Sequence, residues 1–351
     1  MYASGGPLRN TAIGYQSLYN TTNFGDSNTG VGYKSLYANT SGAGNVAVGT
    51  YALDANTTAD DNTAVGLWAL RYNTTGQRNV AVGSYALDEN TTGDYNVAIG
   101  NYSLGENTTA DNNTAVGYAA LEKNETGTDN IAVGAYALDA NTTGNSNTAI
   151  GKAALSNSTT GIENCAVGKD SLVSNTTAND NTAMGVGALN QTTGGSNTAI
   201  GRNAGNSIGS GTNNTCIGAS AFPSSGTASN VITLGNSSIG TLRCQVTSIT
   251  GLSDERDKTA IEDLPIGLDF INTLRPRKFT WAMREPSAND GKTETGFIAQ
   301  ELQTSVGSID YLGLVMNDNP EKLEAAPAKL IPILVKAIQE LSAKVTALEA
   351  G

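Results

Sequence analysis

The sequence predicts a mainly β chain, a parallel β-roll or β-solenoid of 17-residue repeats, followed by a smaller part of different composition that ends in a helix. Three observations predict it: a repeat of nearly constant length, a break in composition near Ser253, and a heptad pattern at the end of the chain.

The repeat reads Asn-Thr-Ala-Val-Gly with a Leu four residues further on, and its glycine recurs from Gly14 and Gly32 through to Gly201 and Gly218. Thirteen copies follow at steps of seventeen residues, apart from one step of eighteen and one of sixteen. Such regularity leaves no room for a globular enzyme here. It marks a solenoid, in which each unit buries its apolar side only against its neighbours. No proline occurs between Pro7 and Pro223, which fits a backbone whose N–H groups are all engaged in ladders, since proline cannot donate to one.

Within a rung, the residue before the glycine is branched or bulky (Val48, Val65, Ile99), the one before that is tiny (Ala47, Ala64, Ala98), and the third is again mainly branched (Val46, Thr63, Val97). Because successive strand side chains alternate faces, two bulky columns share one face, and Ala lies with Asn on the other. The Leu column (Leu53, Leu70, Leu87) adds one more apolar stripe. So few large apolar groups imply a thin core that needs neighbouring chains, with the tiny-residue column allowing close approach between them. At about 4.8 Å per rung, the stack makes a rod of roughly 60 Å. The Asn-Thr-Thr triplets at Asn56, Asn73, Asn90, Asn107, Asn141 and Asn175 keep a fixed place in the repeat, which points to turn chemistry rather than glycosylation.

Charge and glycine content separate the two parts. Up to Leu252 there are nine Lys+Arg and sixteen Asp+Glu, and from Ser253 eleven and sixteen in a far shorter span, while thirty-five of forty-one glycines precede Ser253. The expected organisation is a leader at 1–9, a rod at 10–218, a transition and distal segment at 219–252, and a C-terminal domain at 253–351 with a coiled coil over 330–350. A net charge of −12 without histidine argues against nucleic acid as a partner. No apolar run is long enough to span a bilayer and Met1 to Arg9 has no signal-peptide core, so membrane insertion is not expected. Cys165, Cys216 and Cys244 read as small buried hydrophobes; no metal and no cofactor is expected.

The rod repeats resemble the heads of trimeric autotransporter adhesins and related repeats of bacteriophage tail fibres, which are trimeric left-handed parallel β-rolls. The membrane-anchor barrel that ends such adhesins is not recognisable here. From Ser253 the chain reads SDERDKTAIEDL, LDFINTLRPRKFTW, GFIAQEL and KLIPILVKAIQELSAKVTALEA. These blocks, in this order, closely resemble the intramolecular chaperone auto-processing domain of phage endosialidase tailspikes, shared by many tail fibres. The resemblance implies a small α+β chaperone domain and a homotrimer.

It further implies a self-cleaving dyad of Ser253 and Lys258, with the scissile bond at Leu252-Ser253. A serine hydroxyl is a weak nucleophile, and in a chain without histidine a lysine is the available strong base. Lys258 must then be held neutral, by desolvation or by cations such as Arg256, whereas carboxylates of Asp254, Glu255 and Asp257 close to it would favour its charged form. Asp254, Arg256, Gly296, Gln300 and Glu301 fall on family motif positions and take supporting roles. In the last block Ile331, Leu334, Ile338, Leu341, Val345 and Leu348 alternate steps of three and four, a heptad seam. The spacing leaves strand number open, and the homotrimer comes from the resemblance. Pro332 suits the first turn of that helix.

The function this implies is a phage tail fibre, made in the host cytoplasm and carried in the virion, whose partners are its own copies, other tail proteins and a bacterial surface glycan or other host receptor. Its distal residues near 202–250 or its loop columns would meet that receptor. A bacterial trimeric adhesin with a non-cleaving chaperone domain and a polysaccharide-degrading tailspike stay open as alternatives. For the latter, Asp60, Asp61, Asp94, Asp111, Asp129 and Asp180 stand in turns, with no inserted loop to build a cleft.

Overall fold

The computed structural model describes residues 9–21, 25–239, 242, 253, 255–282, 290–316 and 323–350. They form two compact units, 1–236 and 237–351. The first is a parallel β-solenoid: fourteen three-residue strands, β1 (Thr11–Ile13) through β14 (Ile232–Leu234), stacked in chain order in one sheet. Each rung lies in register on the next, so that Val46, Ala47 and Val48 face Thr63, Ala64 and Val65. The stack thus runs one strand past the last recognisable copy of the repeat.

Which face turns inward is decided by space. Ala47, Ala64 and Ala81 are fully buried against Leu53, Leu70 and Leu87 in one continuous core, while Val48 and Ile99 are 37% and 41% exposed. The small-residue column therefore does not face neighbouring chains, contrary to the sequence-based expectation. A seventeen-residue coil encloses little room, and one Leu per rung nearly fills it. Only a small residue fits opposite, Ala in most rungs and Gly30 or Cys216 in two others, and the branched residues are pushed outside. In the rung where Gly201 opens the turn, Gly205 stands at the Leu position and Ile208 is buried in its place.

Two columns of buried asparagine run beside the apolar core. In the column before the strands, the Asn96 amide donates to the Ala110 carbonyl at 2.8 Å, and its oxygen accepts the backbone N–H of Asn113 at 3.0 Å. In the other, the Asn90 amide donates to the Asn73 side-chain oxygen at 2.8 Å and to the Gly93 carbonyl at 3.0 Å. The Asn-Thr-Thr asparagines of this second column are buried and close their turns through the side-chain amide; none has a positive φ. Left-handed backbone falls elsewhere, at φ 59°, 53° and 59° for Tyr85, Leu87 and Tyr95 in one rung. Each such residue costs about 1–2 kcal/mol. An isolated rung therefore has little reason to form, and stacking must supply its stability.

The repeat glycine is required twice over. Gly117 has φ 138°, and a Cβ there would lie 2.7 Å from the carbonyl carbon of Gly134 in the next rung.

The second unit is small and mixed. Helix α1 (Leu268–Ile271) precedes an antiparallel hairpin of β15 (Arg277–Thr280) and β16 (Thr293–Gly296). Then come α2 (Ala299–Val306), a short pair β17 (Val315–Met316) and β18 (Glu324–Ala325), and the long α3 (Ile331–Glu349). Phe270, Leu312, Leu314, Leu330 and Ile333 form its core. Helix α3 buries Ile333 and Ala337, and its Glu340 carboxylate accepts the N–H of Leu268 at 2.8 Å. The heptad seam is a different face: Ile331, Leu334, Ile338, Leu341, Val345 and Leu348 are all exposed. No helix among the described residues is long and apolar enough to cross a membrane.

Candidate functional site

The residues at the head of the second unit are brought together by one tight turn. A one-turn 3₁₀ segment, Glu255–Asp257, reverses the chain, and the N–H of Lys258 closes it on the Glu255 carbonyl at 3.1 Å. Five residues of separation thereby become contact: Lys258 Nζ donates to Ser253 Oγ at 2.7 Å and to the Ser253 carbonyl at 3.2 Å. Arg256 lies in the turn itself. Leu252 and Asp254 lie outside the described residues, as does Cys244.

This heavy-atom geometry serves either direction of proton sharing. With the lysine charged, the ammonium donates to the hydroxyl; with it neutral, the amine accepts the hydroxyl proton and readies the oxygen for attack. Both side chains are exposed within a single chain, so one copy alone does not dry the lysine.

Gly296, Gln300 and Glu301 stand elsewhere in the unit. Gly296 ends β16 beneath the Phe279 ring, which a Cβ there would meet at 3.5 Å. Gln300 and Glu301 open α2. Glu301 receives a two-pronged hydrogen bond from Arg277 of β15, with Nε at 2.9 Å, and Arg275 lies 3.8 Å away. The Arg277 guanidinium holds the Glu301 carboxyl below the usual carboxylate range, and the pair ties helix to hairpin. Sequence reading did not find Arg277 or Glu340. Their partners are 24 and 72 residues away, and no local periodicity connects residues so far apart.

The rod's acidic residues have a structural use. The carboxylates of Asp60, Asp94 and Asp111 accept the backbone N–H groups of Ala43, Gln77 and Asp94 in the preceding rung, each at 2.7 Å. Cys216 is buried and Cys165 half-buried, both as free thiols.

Residues 253–309 match the family described as chaperone of endosialidase. The match begins at Ser253 and takes in the Ser253–Lys258 turn, the hairpin and α2, but not α3. No curated protein and no solved structure matches the chain. The chain is thus a β-solenoid followed by a segment that matches the chaperone of endosialidase, a combination that suggests a trimerisation chaperone on a fibre.

Proposed function

We propose that the chain is a phage tail fibre, carried in the virion after synthesis in the host cytoplasm, and that its second unit assembles three copies and then cuts itself free at Leu252-Ser253. The observation that carries the reading is the contact of Ser253 Oγ with Lys258 Nζ at 2.7 Å, at the residue where the chaperone-of-endosialidase match begins. The exposed seam of α3 supplies the surface on which copies meet. Along the rod, the exposed column from Ile13 through Val48 and Ile99 to Ile217 supplies a continuous second one.

Assembly would also switch on the chemistry. Packing of copies around Ser253 removes water from Lys258, which favours its neutral amine. That amine takes the hydroxyl proton as Ser253 Oγ attacks the Leu252 carbonyl carbon. The peptide C–N bond breaks, the Ser253 amine leaves with the proton held by Lys258, and the Leu252 ester on Oγ is hydrolysed by water. The products are a Leu252 carboxylate and a free Ser253 amine and hydroxyl.

Denaturing electrophoresis with intact-mass measurement tests this directly. Wild type should separate into residues 1–252 and 253–351, while Ser253→Ala and Lys258→Ala stay whole and still trimeric. An intact wild-type chain would reject the cleavage and leave the fibre reading in place; a cleaved but monomeric rod would reject the fibre.

A further inference from the structure

The rungs are uniform in fold but not in one surface column. At the two positions after the repeat glycine, each of the first eight copies carries one aromatic residue, from Tyr15 to Tyr136. The next five carry none: Lys152-Ala153, Lys169-Asp170, Val186-Gly187, Arg202-Asn203 and Ala219-Ser220. The same backbone forms with Ala, Asp, Gly, Asn or Ser in that slot, so the rings are not there to make the rung. The branched column beside it, in contrast, runs the whole rod from Ile13 to Ile217, as a contact between full-length copies requires.

The rings form two runs, Tyr15 to Tyr51 and Trp68 to Tyr136, joined by the Arg71 guanidinium lying over both Tyr51 and Trp68. Tyr85 stacks on Tyr102 with centroids 4.9 Å apart, Trp68 meets Tyr85 edge-on at 5.0 Å, and Tyr118 meets Tyr136 edge-on at 5.2 Å. Arg71 spreads over Trp68 and Tyr72, at 4.3 and 4.7 Å from their centroids. Tyr102, Tyr118 and Tyr136 are 37%, 48% and 42% exposed, so each offers an apolar edge together with a phenol.

We propose that this aromatic column is a binding track for an extended, uncharged polysaccharide, one sugar meeting each rung. The proposal rests on the reading of the chain as a host-attachment fibre and moves the contact from the distal residues to the first eight rungs. One ring per rung at nearly constant pitch suits a ligand with a short, constant repeat of its own. A sugar polymer has that, and it offers alternating C–H faces and hydroxyls to match ring edges and phenols. A polyanion does not fit: between Tyr15 and Tyr136 there are four Lys+Arg against twelve Asp+Glu, and the Lys34 and Arg71 cations already lie over rings.

The repeat itself supplies a fold-neutral probe. Asn203 occupies this slot at φ 54°, and Tyr85, Tyr102 and Tyr136 hold φ 59°, a conformation that Asn tolerates better than Tyr. The full chain and its Tyr85→Asn/Tyr102→Asn/Tyr136→Asn variant are run in native gels cast with hydroxyethyl cellulose, galactomannan or dextran, with polygalacturonate as the charged comparison. Mass in solution and the state of the Leu252-Ser253 bond are measured on the same samples.

Retardation of wild type by at least one neutral polymer is expected, weakened at least tenfold in the variant at unchanged mass. The proposal is overturned if no neutral polymer retards wild type, if only polygalacturonate does, or if the variant is retarded equally. It is also overturned if the variant loses its oligomeric mass, which would put the rings between copies. A trimeric, cleaved protein that binds none of the neutral polymers ends the track but not the fibre. A monomeric, uncut chain that binds one ends the fibre but not the track.

Discussion

The two units hold themselves together in opposite ways. In the rod, most rungs make the same backbone and asparagine contacts with the next: an Asn96 amide reaches one rung onward in the same way as an Asn79 amide does. In the second unit no contact repeats: Glu340 finds the N–H of Leu268, and Arg277 finds Glu301. A ladder of interchangeable rungs is strong once formed but carries almost no information about which rung pairs with which. Slipping copies by a whole repeat changes little, the condition under which register is weakly specified. On the proposed reading of the chain as a trimeric fibre, the second unit is where a unique alignment of copies would be written, and the exposed residues of α3 would give that alignment a surface.

The harshest way to break this comparison is to remove the second unit. Ending the chain at Leu252 should abolish recovery of a soluble trimer on refolding and leave aggregates or mis-registered oligomers, read by light scattering after size exclusion. Supplying the rod already assembled and cleaved should show no such dependence, because loss of the template then affects only the return path and stability resides in the unfolding barrier. A truncated rod that refolds to a uniform trimer would mean that the rungs align themselves after all.

Much of this was legible in the sequence, and what was not has a physical cause. The rod's strands, order and register follow from the glycine spacing, and Ala and Asn do share a face. The direction of that face is not legible, because alternation says which residues lie together but not which side has room. The interior is set by coil circumference, and only a closed rung shows that one Leu and one Ala exhaust it. In the second unit, Ser253 and Lys258 could be paired because five residues and a tight turn keep them local. Arg277 and Glu340 could not, because their partners are brought near only by the packing of hairpin on helix and of α3 on α1.

A second contrast concerns what one side chain is worth. Leu104 is fully buried between two like neighbours, whereas Leu341 on the seam is half-exposed in one chain. Leu104→Ala should cost about 2–5 kcal/mol, the transfer term plus a cavity that a stiff stack cannot close. Leu341→Ala should leave the fold of its own unit nearly untouched and lower only the yield of trimer. Urea denaturation of the uncleaved Ser253→Ala chain, which keeps its template and so its return path, reads the first effect, and the concentration dependence of assembly reads the second. Equal costs at both sites would erase the distinction between a core shared by rungs and a surface shared by copies.

The smallest expected effect lies inside the rod and depends on pH. Asp88 sits one rung beyond Arg71, half-buried, with one carboxylate oxygen enclosed and without a hydrogen bond. Burial pushes its carboxyl up to about 6, against the opposing pull of Arg71. A carboxyl raised in the folded state favours the protonated form. Its contribution to stability is therefore full below the unfolded value near ~3.9 and lost as pH rises through about 6. Discounted for solvent screening, the loss is about 1 kcal/mol at neutrality. Asp88→Asn should raise the unfolding free energy obtained by urea titration of the uncleaved Ser253→Ala chain by that amount at pH 7 and by nothing at pH 4. A gain that persists at pH 4 would mean that the carboxylate charge is not what the rung resists. The rod's tolerance of Asp at this position would then need a steric explanation.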